Sequence, residues 1–175
     1  MKKMLSLFAA LCLMLSAVSA MAETTELLKL TNGVTIVLNH DESVQIYPAA
    51  QNTPNEGFWM IDNAVNASVT LSIAPSEIDS ELSLGDLTEE QQLQYGQQVG
   101  EMFANPEIHL DTTPSGNNYL HVCSNEESDI DTIFTIYKGY FVELIQFSDD
   151  NFAKLSEEDK AFCLSLLHGL EFVTE

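Results

Sequence analysis

The chain has 175 residues, 45% of them hydrophobic, and carries 27 acidic but only six basic residues, for a net charge of −21. It is long enough for one domain with its own core. Because nucleic-acid affinity depends on Lys and Arg displacing counterions from phosphates, this charge excludes nucleic acid as a partner. It excludes anionic lipid surfaces for the same reason. Cations and basic protein surfaces are compatible with it, although an acidic surface can also simply keep a protein soluble.

The N-terminal segment has the pattern of a cleavable secretory signal. Two lysines precede an apolar run over residues 4–17, and Ala20-Met21-Ala22 is a small-x-small cleavage site. The run is too short to span a bilayer, which needs about 20 apolar residues. We therefore expect a signal peptide over 1–22 and a single acidic domain over 23–175, periplasmic or secreted and without stable membrane insertion.

The first half of this domain is predicted to consist of strands. Asn32-Gly33 between two apolar runs is a strong hairpin signal. The alternation of apolar and polar residues that starts at Val65 predicts a half-buried strand, which Pro75 ends. The acidic stretch 76–87 is predicted to be a surface loop. The predicted strands are 27–31, 34–38, 44–47, 58–61 and 65–74.

A helix is predicted over 88–104. Thr88, followed three residues later by Gln91, forms a capping box at its start. Gly96 and Gly100 share one stripe of this helix and would let another element approach closely. The adjoining apolar face is predicted to contain Tyr95, Val99, Met102 and Phe103.

The second half adds strands and one more helix. This helix begins after Ser156 and ends near His168, and Gly169 occupies the position where a left-handed C-cap is expected. Lys138-Gly139 predicts a tight hairpin. The predicted strands are 108–110, 119–123, 133–137, 140–147 and 170–173. Runs of strands with two helices, instead of strict strand–helix alternation, predict an α+β fold with an antiparallel sheet.

The C-terminal stretch resembles a known superfamily. The hairpin strand from Gly139 to Leu144, Phe152, and the leucine-rich helix end over 162–172 are similar to the end of the PsbP-like superfamily. The resemblance implies a PsbP-like sandwich, an antiparallel sheet flanked by two helices. It also implies a non-enzymatic binding or assembly module of the cell envelope, whose partner would be a protein or a small-molecule ligand.

Two cysteines remain after removal of the signal. An oxidising compartment makes an even number of cysteines a disulfide candidate. Cys163 lies on the apolar face of the second predicted helix, and Cys123 lies in a predicted strand. A bridge from helix to sheet is one alternative, and buried free thiols acting as small hydrophobes are the other.

The segment His121-Val122-Cys123 places a nitrogen and a sulfur on one face of a strand, which suggests one edge of a metal site. A packed or solvated pair of side chains is the alternative. Zinc needs three or four ligands, so His109 or Asp111 would have to approach in space. The acidic loop 125–131, with Asp129 and Asp131, superficially resembles a calcium loop. Ile130 stands where the EF-hand pattern requires glycine, and a solvated acidic turn is the alternative to weak Ca²⁺ binding. No resident cofactor is expected.

Aromatic residues supply the last candidates. Trp59 follows a polar, turn-rich segment and Tyr140 flanks the Lys138-Gly139 turn. Large aromatics usually belong to the core, but if exposed these two would indicate a ligand or peptide groove. Because the catalytic motifs we considered are missing, we expect a binding protein without catalysis. The alternative is a hydrolase or metal-dependent enzyme whose site is assembled from distant residues.

We expect the mature protein to begin at Glu23, because cleavage follows the small-x-small motif. N-terminal sequencing of the protein recovered from the envelope fraction checks this. A recovered chain that still contains residues 4–17 would contradict export with cleavage.

Overall fold

The computed structural model describes residues 23–30, 35–48, 56–62, 67–78, 81–124, 130–148 and 154–173. The predicted signal, the Asn32-Gly33 turn and most of the acidic loop 125–131 lie outside these residues. Within them, ten strands form two antiparallel sheets. The strands are β1 (Glu23–Lys29), β2 (Thr35–Asp41), β3 (Gln45–Pro48), β4 (Gly57–Asp62), β5 (Ala67–Pro75), β6 (Pro106–Thr112), β7 (Asn118–Ser124), β8 (Ile130–Tyr137), β9 (Tyr140–Ser148) and β10 (Leu170–Val173).

Two α-helices and one 3-10 turn complete the described structure. The 3-10 turn is Leu84–Asp86, α1 is Glu89–Gly100 and α2 is Glu157–His168. Each α-helix starts at a capping box, with Thr88 as the N-cap of α1 and Ser156 as that of α2. Among the described residues, neither helix has the length and apolarity that a bilayer crossing needs.

The predicted α+β fold, a PsbP-like sandwich of one antiparallel sheet flanked by two helices, is wrong. The chain is mostly β, and its strands divide into a seven-stranded sheet ordered β3-β4-β5-β9-β8-β7-β6 and a three-stranded sheet ordered β1-β2-β10. Helix α2 contacts both sheets, through β2 of the smaller and β8 and β9 of the larger. The second sheet depends on β10 pairing with β2, which is distant in sequence.

Both faces of the seven-stranded sheet are covered over part of their width. The front face packs against α2 and the three-stranded sheet, and Leu38, Leu71, Leu144 and Leu166 belong to this core. The back face packs against α1 at β6 and β7 and against the 3-10 turn at β7 and β8, and Phe134 is fully buried in this core. Successive residues of β8 alternate between the two cores, so this strand is buried along its length.

Most local predictions are confirmed. The strand that begins near Val65 is β5, whose buried residues alternate with partly exposed ones. At the β8–β9 hairpin, Lys138 and Gly139 both have positive φ, as a tight two-residue turn requires. The stripe of Gly96 and Gly100 faces β6, since a Cβ on Gly96 would lie 2.6 Å from Cγ2 of Ile108.

Three local predictions are wrong. Helix α1 ends at Gly100, and Met102 is 67% exposed instead of forming part of its apolar face. The stretch 76–87 is not simply a surface loop, because it contains the 3-10 turn and the fully buried Leu84. Gly169 is not left-handed, since its φ is −82° and its ψ is −7°.

Gly169 is required for space and not for its backbone conformation. Its oxygen accepts a hydrogen bond of 2.9 Å from the backbone N–H of Asn39, so the end of α2 lies directly against β2. A Cβ on Gly169 would overlap the backbone oxygen of Asn39. The close contact joins the helix to the three-stranded sheet.

Gly169→Ala should lower the free energy of unfolding by about 1–3 kcal/mol, the usual cost of overpacking a filled site. Gly85→Ala is the matched control, because the nearest atom to a Cβ there is Cγ of Asn118 at 3.7 Å. Urea denaturation of both variants measures the difference. Equal losses of stability in the two variants would contradict the packing role of Gly169.

Candidate metal centre

The candidate centre begins on the front face of β7, where His121 and Cys123 lie two residues apart. The predicted arrangement on one face of a strand is confirmed by the pairing of β7 with its neighbours. His121 pairs with Ile133 of β8, which belongs to the front core. The side chain of His121 is 28% exposed and Cys123 is half-buried, so both lie at the margin of that core.

Asp131 enters the centre from the start of β8. The antiparallel register that pairs Val122 with Thr132 continues toward Cys123 and Asp131, which brings their side chains to the same face. Nε2 of His121 donates a hydrogen bond of 2.6 Å to Oδ1 of Asp131, and the backbone N–H of Thr132 donates one of 3.0 Å to the same oxygen. Asp131 is 2% exposed, and its Oδ2 is buried without a hydrogen-bond partner.

Strand β6, at the edge of the sheet, adds two further donors. Glu107 pairs with Cys123 and His109 pairs with His121, so all four side chains share the front face. The rings of His109 and His121 have centroids 6.0 Å apart. Nε2 of His109 lies 3.5 Å from Oε2 of Glu107. The structure thus brings His109 close to His121 and Cys123, as a zinc site would require. Asp111 lies farther along β6 and hydrogen-bonds Tyr119.

These donors form two overlapping groups. In the inner triad, His121, Cys123 and Asp131 have ligand atoms within 4.8 Å of one another, and the same holds for Glu107, His109 and Cys123 in the outer triad. The inner triad is partly to fully buried and the outer one is mostly exposed. Cys123 belongs to both. Thiol, imidazole and carboxylate are the ligand types of zinc sites.

Glu107 was missed by sequence reasoning, although a signal for it exists. Pro114-Ser115-Gly116 is a turn signal in the sequence, and a hairpin centred there pairs residues at equal distances from Ser115. That symmetry places Glu107 opposite Cys123, as the structure does. Asp131 was named, but as part of a calcium loop and not as the partner of His121. Asp129 lies outside the described residues, so weak Ca²⁺ binding by that loop stays a prediction.

The two cysteines are free thiols in the structure. Their predicted positions are confirmed, since Cys163 lies in α2 and Cys123 in β7. Burial raises the pKa of Cys123, the carboxylates of Asp131 and Glu107 raise it further, and Lys160 opposes them. Burial, followed by the Asp131 charge, also raises the pKa of the Cys163 thiol well above its usual range.

The inner triad contains the residue types of a Cys-His-Asp catalytic triad, but its electrostatics differ. A nucleophilic cysteine needs a lowered pKa, which a nearby cation or a helix N-terminus supplies. The pKa of Cys123 is instead raised, chiefly by burial and by two carboxylates. A cation bound among these groups would offset the two carboxylates and lower the pKa of the thiol.

The aromatic candidates do not form a groove. Trp59 is 5% exposed and packs in the front core, and Tyr140 is partly buried against the same core. On the described strands of the seven-stranded sheet, the exposed large hydrophobic side chains are Tyr47, Met60 and Phe147. A polar cavity of about 390 Å³, lined by Ser83 and Asn118 among others, lies toward the opposite end of β7 from Cys123.

No protein-family model matches this chain, and no curated protein matches it significantly. The resemblance of the C-terminal stretch to the PsbP-like superfamily therefore stays a prediction. Among the residues that the structure describes, the candidate metal centre brings together groups that could hold a metal ion.

Alkylation should distinguish the two thiols by the conditions under which each one reacts. Because thiolate is the reactive form and the pKa of each cysteine is raised, Cys123 should react slowly with iodoacetamide at pH 7 and faster as the pH increases. Cys163 should react only in denaturant, and it should do so without reductant. Peptide mass spectrometry reads both sites. Rapid labelling of Cys123 at pH 7 would favour a nucleophile, and a need for reductant would show a bridge.

Proposed function

We propose that this chain is an exported metal-binding protein of the cell envelope, and that it holds a divalent transition-metal ion of the Zn²⁺ type without catalysing a reaction. The observation that carries the proposal is the environment of Oδ2 of Asp131. This oxygen is buried without a partner in a carboxylate that also contacts His121, next to the thiol of Cys123. A buried carboxylate with one unsatisfied oxygen is the kind of group that a cation would complete.

The donor types support Zn²⁺ over Ca²⁺. Zinc binds thiolate, imidazole and carboxylate in four-coordinate sites, whereas Ca²⁺ takes about six to eight oxygen ligands. His121, Cys123 and Asp131 supply three donors of the first kind. Affinity for the same donors rises through the first-row metals toward Cu²⁺, so Co²⁺ and Ni²⁺ are suitable probes.

The energetic cost of an unsatisfied buried oxygen also favours a bound cation. Leaving a buried polar group unsatisfied costs about 1–3 kcal/mol, and more when the group is charged. Asp131 bears that cost at Oδ2 unless it has a cationic partner. An ion that binds only the folded chain removes the cost and stabilises the fold by mass action. The net charge of −21 also favours the approach of cations.

Zn²⁺ should raise the unfolding midpoint of the metal-free protein. At a free ion concentration of about 100 times Kd, linkage gives about 2.7 kcal/mol, which corresponds to an increase on the order of 5–10 °C for a domain of this size. Thermal unfolding in chelator and in buffered Zn²⁺ measures it. Absence of any increase, together with no heat of binding in a Zn²⁺ titration, would sink the proposal.

Substitutions of the candidate ligands test where the ion binds. Asp131→Asn should weaken binding about 10–100-fold, the range found when a ligand or its orienting partner is altered. Cys123→Ser should abolish the thiolate-to-metal absorption of the Co²⁺ form. His168→Gln is the control, because it removes an exposed histidine outside the cluster. If Zn²⁺ binds the three variants and the original chain equally, the ion lies elsewhere.

A metal-dependent hydrolase is the second candidate, because a site with three protein ligands leaves a position for water, as catalytic zinc sites do. The inner triad supplies that number of ligands. The Zn²⁺-loaded protein would then hydrolyse an activated ester, and Asp131→Asn would remove that activity. Binding without turnover would favour the non-enzymatic role.

A further inference from the structure

The two triads differ in exposure. In the outer triad the side chains of His109 and Glu107 are 57% and 52% exposed, whereas Asp131 of the inner triad is 2% exposed. Cys123 lies between them and is half-buried. The donors therefore run from the open edge of the sheet to the buried margin of the front core.

Neighbouring metal-ligating groups are also close enough for an ion to pass from one to the next. Glu107 lies directly opposite Cys123, and His109 lies directly opposite His121, across one pair of strands. The centroids of the His109 and His121 rings are 6.0 Å apart, and within each triad the three ligand atoms, one from each residue, lie within 4.8 Å of one another. An ion can therefore change one ligand at a time while Cys123 stays bound.

We propose that the outer triad is a capture site from which a Zn²⁺-type ion passes to the inner triad through Cys123. This inference rests on the proposed metal-binding function. On capture, the Cys123 thiol gives its proton to solvent and its sulfur binds the ion together with Glu107 and His109. The bonds to Glu107 and His109 are then replaced by bonds to Asp131 and to the ring nitrogen of His121 that carries no proton, so the imidazole stays neutral and the sulfur remains a ligand throughout. Release follows the reverse order.

The position of β6 supports this role. It is the edge strand of the seven-stranded sheet, so its front-face side chains are open to solvent or to a metal donor. Asp131 at the inner end is reached less directly, because its carboxylate is buried. Without Glu107 and His109, an incoming ion would meet only the partly buried side chains of Cys123 and His121.

The test compares rates with affinity. The double variant Glu107→Gln with His109→Gln should slow Zn²⁺ association and chelator-driven release by at least about tenfold, equivalent to a barrier change of about 1.4 kcal/mol. Because both rates fall together, Kd should change by less than about threefold. Stopped-flow mixing with a chromophoric Zn²⁺ indicator gives the rates, and an indicator competition gives Kd.

The matched control is Glu101→Gln with His168→Gln, which removes one exposed carboxylate and one exposed imidazole away from the cluster. It should leave the rates unchanged. Unchanged rates in the Glu107/His109 variant would overturn the capture role. A raised Kd with unchanged association would also overturn it, since the four side chains would then form one site. If the original chain binds no Zn²⁺, the proposed function itself fails, and the two failures are distinguishable.

Discussion

Burial of β8 on both faces is the constraint on which the rest of the structure depends. Its six inner residues are all buried, with Phe134 against the α1 side and Ile133 against the α2 side. A strand of this kind needs a layer on each face. The 3-10 turn and helix α1 together supply the back layer, while α2 and the three-stranded sheet together supply the front one. The polar Asp131 at the start of this strand is buried as a consequence.

Asp131 belongs to a polar layer beneath the first half of α2. Gln146 lies opposite it on β9, and Nε2 of Gln146 donates a hydrogen bond of 2.7 Å to the backbone oxygen of Asp159 in α2. Each of these three residues has a buried oxygen without a partner. The second half of α2 packs through Cys163 and Leu166 on the apolar core. The helix is thus fixed by apolar packing at one end and lies over polar groups at the other, next to the candidate metal centre.

Local elements could be predicted from the sequence because local chemistry determines them. The capping box at Thr88, the alternation in β5 and the Lys138-Gly139 turn are each set by a few adjacent residues. The division into two sheets could not be predicted, because it depends on β5 pairing with β9 and β10 pairing with β2 over long separations. The fold class was therefore wrong although its strands were in the right places. The same limit applies to the metal centre. The two-residue repeat of a strand predicts that His121 and Cys123 share one face, whereas the position of Asp131 beside them depends on the pairing of β7 with β8.

The composition and the metal centre support the same class of ligand by independent routes. A net charge of −21 lowers affinity for anions over the whole surface and raises the local concentration of cations. Charge alone gives no selectivity among cations, since exposed carboxylates hold Ca²⁺, Mg²⁺ and protonated amines weakly and interchangeably. Selectivity has to come from donors that hard cations do not favour, and these are the thiol of Cys123 and the imidazoles of His109 and His121. The β6–β7 register aligns them on one face, which is the arrangement that the proposed metal binding requires.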